Sequence, residues 1–124
     1  DRSVRELIAV VVSTANGCDY CVGHHAEALN FYWKDDDRIK ALIDGYKKAG
    51  LTPIENAICD YSVKLTRNPN AVREADVENL RKAGFSDDDI LGINLIISYF
   101  NFVNRIAIGL GVETSPEEIG GYKY

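Results

Sequence analysis

At 124 residues, the chain has the size of a single domain and is long enough to bury a hydrophobic core. Its 46% hydrophobic and 27% charged residues are typical of a soluble globular protein and exclude a disordered or fibrous chain. A formal net charge of -5, without a cluster of Lys and Arg, disfavours nucleic acid and anionic membranes as partners.

The first two predicted helices are separated by a glycine. The stretch SVRELIAVVVSTANG predicts a helix with Ser3 as N-cap, Glu6 as its capping-box partner and Asn16-Gly17 as the stop signal. Its valine-rich middle lacks the alternation of a half-buried strand, so we interpret it as a buried helix. A second helix is expected from Cys18 to the neighbourhood of Phe31.

The third and fourth predicted helices are identified by their ends. Residues 34–50, KDDDRIKALIDGYKKAG, predict one helix, because the aspartates at its start and the consecutive lysines near its end match the helix dipole and Gly50 follows. In the next segment Thr52 is a predicted N-cap, Pro53 takes the first helical position and Glu55 completes a capping box.

Two further helices complete the prediction. VREADVENLRKAG predicts a short helix closed by Gly84, and a long helix follows with Ser86 as N-cap, Asp89 as capping-box partner and an end near Leu110. No Gly/Ser linker or internal repeat divides the chain. We therefore expect an all-α, single-domain bundle of about six helices over residues 1–112, followed by a polar C-terminal tail over residues 113–124.

The last predicted helix is long and apolar enough over residues 90–110 to suggest a membrane span. However, Asn94, Ser98, Asn101 and Arg105 recur at i, i+4, i+7 and i+11 and form a stripe along one face. Lipid would leave this stripe without partners, so we expect no membrane insertion. The stripe is expected either to make ordinary hydrogen bonds between helices or to line a subunit interface or the active site.

Two features predict a cytoplasmic protein. The apolar run from Leu7 to Val12 follows Arg5 and Glu6 and is not closed by a small-residue cleavage site, so it does not match a secretory signal. The three cysteines, an odd number, fit a reducing compartment better than a disulfide scaffold.

The stretch NGCDYCVGHH contains both histidines and two of the three cysteines of the chain. On a helix, with about 100° per residue, Cys21 lies about 60° and His25 about 20° from Cys18, whereas His24 lies about 120° away. Cys18, Cys21 and His25 therefore share a face. For His24 we expect a structural or interface role.

Several chemistries compete for this stretch. Covalent haem attachment requires Cys-x-x-Cys-His, but Val22 follows the second cysteine. A structural zinc site normally takes four protein ligands, and Cys18 and His25 are about 10 Å apart in helical rise, so zinc is a minor alternative. A purely structural disulfide between residues three apart would remove little chain entropy. We therefore favour a redox-active dithiol and expect no metal or cofactor.

Neighbouring groups suit redox chemistry. A helix N-terminus lowers the pKa of a cysteine placed there, and His25, one turn beyond Cys21, can exchange a proton near neutral pH. Glu6 is expected to lie about as far before the turn between the two helices as His25 lies after it. Its carboxylate either orients His25 or only caps the first turn of its own helix. Cys59 is expected to be a small core residue, and Trp33 and the tyrosines are expected to serve packing or an interface.

The stretch RELIAVVVSTANGCDYCVGHHAEAL resembles the core of the alkylhydroperoxidase D-like enzymes within the carboxymuconolactone decarboxylase superfamily: a Glu, eleven residues, then Cys-x-x-Cys-x-x-x-His. DYSVKLTRNPNAVREADVENLRKAGFSDDDIL and YFNFVNRIAIGLGVE are similar to the peroxidase-related subgroup, so the resemblance spans nearly the whole chain. Tyr20 departs from the pattern, because the best characterised member has a His immediately before the second cysteine.

The resemblance implies a helical bundle that assembles as trimers or hexamers and reduces alkyl hydroperoxides or hydrogen peroxide. Cys21 corresponds to the peroxidatic cysteine, Cys18 to the resolving cysteine, and His25 and Glu6 to the proton relay. The resulting disulfide would be reduced by a dihydrolipoyl group or another thiol donor, which implies a redox-protein partner.

Other functions stay open. The superfamily's lactone decarboxylase chemistry does not need the cysteine pair, and the pair could serve thiol-disulfide reduction without significant peroxidase activity. DVENLRKAGFSDDDILGI resembles a DNA-binding helix-turn-helix, but three aspartates open its second helix and phosphate would repel them.

Overall fold

The fold is all-helical, as predicted. The computed structural model describes residues 1–113, and within that range it contains six α-helices, two short 3-10 turns and no strand. The helices are α1 (Arg2–Asn16), α2 (Asp19–Trp33), α3 (Asp36–Asp44), α4 (Pro53–Arg67), α5 (Glu74–Lys82) and α6 (Asp87–Gly109). The polar tail predicted from residue 113 onward lies, after its first residue, outside the described residues.

Helix α1 is the centre of the bundle and contacts α2, α3, α4 and α6. Its residues from Leu7 to Ser13 are all buried, which confirms that the valine-rich stretch is a buried helix. Alternate sides of α1 contribute to two apolar clusters. Val10 and Val11 pack with α2, α3 and α4, whereas Ile8 and Val12 pack with α4, α5 and α6.

The turn between α1 and α2 depends on Gly17, as the stop signal predicted. Gly17 has φ 69° and ψ 29°, a left-handed conformation that costs little for glycine and strains most other residues. The Cys18 N–H then donates to the Ser13 carbonyl at 3.0 Å and closes the end of α1. This reversal returns α2 along α1 and places Cys18 at the N-cap of α2.

The predicted start of α1 was wrong by two residues. Asp1, not Ser3, is the N-cap, and its carboxylate accepts a hydrogen bond from the Ser3 N–H at 2.9 Å. A carboxylate is as good a cap as a hydroxyl, so the earlier residue takes the position. Ser3 therefore lies within the first turn, and Glu6 is not its capping-box partner.

The third helix is also shorter than predicted. Helix α3 ends at Asp44, and the lysines expected in its last turn lie in the 3-10 turn Tyr46–Lys48. Gly45 is extended, with φ 177° and ψ 119°, which interrupts the helix. Glycine in a helix interior costs about 1 kcal/mol relative to alanine, so the sequence offers a break at this position.

The starts of α4 and α6 follow the predicted caps. Thr52 caps α4 by accepting from the Glu55 N–H at 3.1 Å, with Pro53 in the first turn. Ser86 and Asp89 form a reciprocal capping box at the start of α6. Gly84, with φ 104°, follows the end of α5.

By length and composition alone, α6 could cross a membrane, and 28% of its most apolar window is buried. Its amide side chains bond to neighbouring helices: Asn94 donates to the Tyr61 hydroxyl at 3.0 Å, and Asn101 donates to Thr66 at 3.0 Å. These contacts are typical of a helix in a soluble bundle. Of the interpretations of the polar stripe, they favour ordinary inter-helix hydrogen bonding.

Candidate active site

Cys18 and Cys21 are joined by a disulfide at the start of α2, with their Cα atoms 5.3 Å apart. Cys18 is the N-cap and Cys21 lies in the first turn. Each residue is only 3% exposed, and Ala107 of α6 and Tyr20 pack against the pair. The pair is therefore present in its oxidised form in a nearly closed environment.

The expected neighbour of the cysteine pair, His25, is paired with a carboxylate. The His25 Nδ1 donates to Glu6 Oε2 at 2.8 Å, and the exposed fractions of the two side chains are 21% and 13%. Of the two predicted roles of Glu6, orientation of His25 is therefore the one that the geometry favours. With Nδ1 engaged, Nε2 is the nitrogen left for proton exchange.

Phe100 of α6 forms the wall next to His25. The two rings meet edge to face with centroids 4.9 Å apart. Because the ring is apolar, it excludes water from one side of the imidazole. No short-range pattern in the sequence points to Phe100, because the contact depends on how α6 packs.

His24 lies apart from this cluster, as the helical angles predicted. Its ring packs against Tyr20, with centroids 4.5 Å apart and planes inclined at 64°, and both ring nitrogens are buried. Tyr20 also packs against the cysteine pair. This supports a structural role for His24 next to the disulfide.

A network of amides holds the α1–α2 turn against α6. Asn16 donates to Asn104 at 2.9 Å and to Asn101 at 3.0 Å, and Asn104 donates to the Ser13 hydroxyl at 3.1 Å. Asn104 is fully buried. Since Asn16 and Gly17 directly precede Cys18, the network fixes the position of the cysteine pair. Asn101 was predicted as part of the polar stripe, but its partner Asn16 and the second acceptor of Asn16, Asn104, were not.

Two depressions adjoin the site on different sides. One, of about 490 Å³, lies between the start of α2 and the end of α6 and is bordered by Cys18, Tyr20 and Ala107. The other, of about 510 Å³, lies between α1 and α6 and is bordered by Glu6 and Phe100. Cys18 borders the first depression, although both cysteines are equally buried, at 3% exposed.

Cys59 and Trp33 lie in the core, as predicted. Cys59 is fully buried, and burial raises the pKa of its thiol to about 12, with contributions from the nearby Asp60 and Glu55 carboxylates. Trp33 packs on the core, and the Arg38 guanidinium lies 3.7 Å from its ring centroid. Throughout residues 1–113, no group of three or more His, Cys, Asp or Glu side chains is arranged to hold a metal ion.

Comparison with known proteins places this site in a family. The carboxymuconolactone decarboxylase family matches residues 1–61, which include both helices of the cysteine site. A crystal structure of an uncharacterized peroxidase-related protein from Silicibacter sp. TM1040 is 34% identical, with a TM-score of 0.91 over 99% of this chain and 64% of its own. These matches support membership of the carboxymuconolactone decarboxylase superfamily, in its alkylhydroperoxidase D-like branch.

Further relatives of this superfamily member agree. The alkylhydroperoxidase AhpD core of an uncharacterized peroxidase-related protein from Ralstonia eutropha JMP134 is 34% identical, with a TM-score of 0.88 over 96% of this chain and 63% of its own. The uncharacterized protein YdfG from Bacillus subtilis is 27% identical over 111 residues, 90% of this chain and 76% of its own. The chain thus spans less than two thirds of either structural relative.

Proposed function

We propose that the protein is a thiol-dependent peroxidase that reduces alkyl hydroperoxides or hydrogen peroxide. The observation that carries the proposal is a carboxylate-bonded imidazole, Glu6–His25, one helical turn beyond Cys21 of the Cys18–Cys21 disulfide. In many enzymes a base activates the nucleophile, and a carboxylate holds the base in the correct orientation. The peroxidase-related names of the structural relatives agree with this chemistry.

In the proposed oxidation, Cys21 acts first. Its thiolate attacks the terminal oxygen of the hydroperoxide, the O–O bond breaks, and the alkoxide takes a proton from His25 and leaves as the alcohol. Cys21 is then a sulfenic acid. Cys18 loses its proton to His25 and attacks the Cys21 sulfur, which forms the disulfide and releases water. Two thiols are oxidised for each peroxide reduced, and Glu6 holds the imidazole in place throughout.

Return to the dithiol requires an external donor of two electrons. We propose a dithiol, such as a dihydrolipoyl group on a partner protein, whose thiolate attacks the Cys18 sulfur and releases the Cys21 thiolate. The second thiol of the donor then resolves the mixed disulfide. This direction of attack is supported by the depression of about 490 Å³, whose lining includes Cys18.

The decisive experiment follows oxidation of the reduced protein directly. Cumene hydroperoxide and hydrogen peroxide are mixed with it in a stopped-flow instrument, and mass spectrometry then tests for a Cys18–Cys21 bond. We expect one peroxide consumed per disulfide formed, no consumption by a Cys21→Ser variant, and normal consumption by a Cys59→Ala control. Peroxide consumption by Cys21→Ser at the rate of the unaltered protein would show that the proposal is wrong.

The same variants discriminate the alternatives. A thiol-disulfide reductase would exchange electrons with a dithiol donor yet fail to react with peroxide. A lactone decarboxylase would turn over its lactone equally well with Cys18→Ser and Cys21→Ser. The buried disulfide beside a paired histidine favours the redox functions, because lactone decarboxylation does not use a cysteine pair.

A further part of the proposal is that the chain self-associates through α6. Five large apolar residues on one face of α6 are 46–62% exposed: Leu91, Leu95, Tyr99, Phe102 and Ile106. Their spacing of four, four, three and four residues is typical of a helix-pairing seam. An apolar surface of this kind marks an interaction site.

A second copy of the same chain fits this seam. In an antiparallel two-fold pair, Leu91 of one copy lies opposite Ile106 of the other, Leu95 lies opposite Phe102, and Tyr99 lies near the axis. The same arrangement brings the aspartates at the start of α6 near Arg105 of the other copy. Apolar contact and opposite charge therefore favour the same pairing.

A further inference from the structure

The depression beside Cys18 is where the proposed electron donor reaches the disulfide, and its lining determines which donor fits. Its volume of about 490 Å³ is within the range of small-molecule sites. One wall is the turn between α1 and α2 with the first residues of α2, and the other wall is the end of α6. A donor that attacks Cys18 therefore lies between these two walls.

Each wall of the depression carries one acidic side chain. Asp19 directly follows Cys18, and Glu113 lies on the opposite wall. Within the described part of the chain, neither carboxylate forms a salt bridge. Arg105 of α6 is not part of the lining, because its guanidinium donates to Asn101, one turn farther from the end of the helix. The lining therefore repels negative charge.

The apolar part of the lining lies at the end of α6. Ile108 is 49% and Val112 is 42% exposed, and Ala107 packs against the cysteine pair. A short hydrocarbon arm can cover this surface, which removes apolar area from water. Because Val112 and Glu113 are consecutive, an arm that follows Val112 ends beside the Glu113 carboxylate. The charge of the group at the end of the arm therefore affects how well the donor fits.

We propose that this depression selects electron donors by charge: it accepts an uncharged or cationic dithiol on an apolar arm and disfavours an anionic one. Asp19 and Glu113 are the specificity-determining residues. The inference rests on the proposed function, in which a donor thiolate attacks the Cys18 sulfur and the Cys21 thiolate leaves. The second donor thiol then displaces Cys18, so two electrons and two protons pass to the cysteines and the donor becomes a cyclic disulfide. A lipoyl group joined to a protein through an amide meets this requirement, whereas free dihydrolipoate does not.

The test compares two donors that differ only in this charge. Dihydrolipoamide and dihydrolipoate carry the same dithiol on the same hydrocarbon arm, which ends in an uncharged amide or in a carboxylate. Each is mixed in excess with the oxidised full chain, and the released thiols are alkylated and counted by mass spectrometry over time. We expect dihydrolipoamide to react about threefold or more faster at low ionic strength, and the ratio to approach one as salt is added. Equal rates at low ionic strength, or no reduction by either donor, would overturn the proposal.

Variants assign the selection to the two carboxylates. In Asp19→Asn/Glu113→Gln we expect dihydrolipoate to react faster than with the unaltered protein, so that the ratio of the two rates falls toward one. A change in the fold or in the reactivity of the disulfide would move both rates together and leave their ratio unchanged. Asp37→Asn/Glu74→Gln removes two exposed carboxylates at the starts of α3 and α5, outside the depression, and should keep the original ratio. An unchanged ratio in the first variant, or an equal fall in the second, would contradict the proposal.

The test starts from the disulfide and needs no peroxide, so its outcome is separate from that of the peroxidase proposal. If the preference for dihydrolipoamide depends on Asp19 and Glu113, the donor assignment stands even when peroxide fails to oxidise the reduced protein. If peroxide oxidises the reduced protein but the two donors react alike, the peroxidase proposal stands and selection by charge is wrong.

Discussion

Glu6 and His25 are 19 residues apart in the chain, yet their side chains meet at 2.8 Å. The contact arises because Gly17 reverses the chain between two helices of 15 residues each. Residues at similar distances before and after this turn therefore face each other. The carboxylate fixes the orientation of the imidazole. On the proposed function, the cysteine pair therefore depends on a residue outside the motif that contains it.

Removal of the Glu6 charge tests this dependence. Glu6→Gln keeps an oxygen that can accept from Nδ1 but removes the negative charge beside the imidazole. We expect peroxide to oxidise the reduced variant about tenfold or more slowly, since positioned acid-base groups contribute factors of this order or larger. Glu27→Gln, an exposed change on α2, is the matched control in the stopped-flow measurement. Equal rates for the two variants would contradict the relay.

The order of the two cysteines is tested by trapping. In Cys18→Ser, Cys21 can still be oxidised but cannot be resolved, so we expect one equivalent of peroxide to be consumed and a sulfenic acid to persist. Dimedone should label Cys21 in this variant, as detected by peptide mass spectrometry. In Cys21→Ser we expect no label. Labelling of Cys18 in the second variant would reverse the assigned roles.

The buried amide network gives a stability prediction. Asn104→Ala would remove partners from Ser13 and Asn16 and leave a cavity at a fully buried position. We expect a loss of about 2 to 4 kcal/mol in the free energy of unfolding, measured with urea. Asn79→Ala, an exposed change on α5, should stay within about 0.5 kcal/mol of the unaltered protein. A small effect of Asn104→Ala would mean that water replaces the lost contacts.

The buried Cys59 thiol is expected to make the free energy of unfolding depend on pH in the alkaline range. Burial raises the pKa of its thiol from 9.0 to about 12, so between these values the thiol ionises in the unfolded chain but stays protonated in the folded one. The unfolded state then binds fewer protons, and the free energy of unfolding falls as pH rises. In urea titrations of the oxidised protein between pH 9 and pH 12, we expect Cys59→Ala to show a shallower fall. Parallel curves for the two proteins would contradict the assignment.

The sequence predicted the parts of the fold that are encoded locally. The caps at Thr52 and Ser86 and the turn at Gly17 were correct, because each depends on residues within one helical turn. The same local reasoning placed Glu6 near His25, since the helical rise determines how far each residue lies from the tight turn between the helices. It failed where two local signals competed: Asp1 displaced Ser3 as a cap, and Gly45 ended α3 before the lysines.

The rest of the site depends on tertiary packing. Phe100 reaches His25, and Asn104 reaches Ser13, only because α6 lies beside α1 in one register, and no spacing within α6 defines that register. The depression beside Cys18 has the same origin, since its two walls are distant in the chain. A pattern of polar residues identified the stripe on α6 but could not distinguish contacts within the bundle from contacts with another subunit.

The exposed face of α6 gives a prediction for assembly. Phe102→Glu would place a charge opposite Leu95 of the second copy, and its burial without a partner is costly. We therefore expect the unaltered protein to be a homo-oligomer and the variant to dissociate, as measured by light scattering after size-exclusion chromatography. Ile54→Glu, which alters a similarly exposed apolar residue on α4, should leave the assembly intact.

Cysteine cross-linking then tests the antiparallel arrangement. Tyr99→Cys lies near the two-fold axis, so it should form a disulfide with its own copy, whereas Leu95→Cys should pair only when mixed with Phe102→Cys. A parallel pair would instead let Leu95→Cys link to itself, because equal positions then face each other. Such a link would contradict the antiparallel arrangement, and a monomeric unaltered protein would contradict self-association through α6.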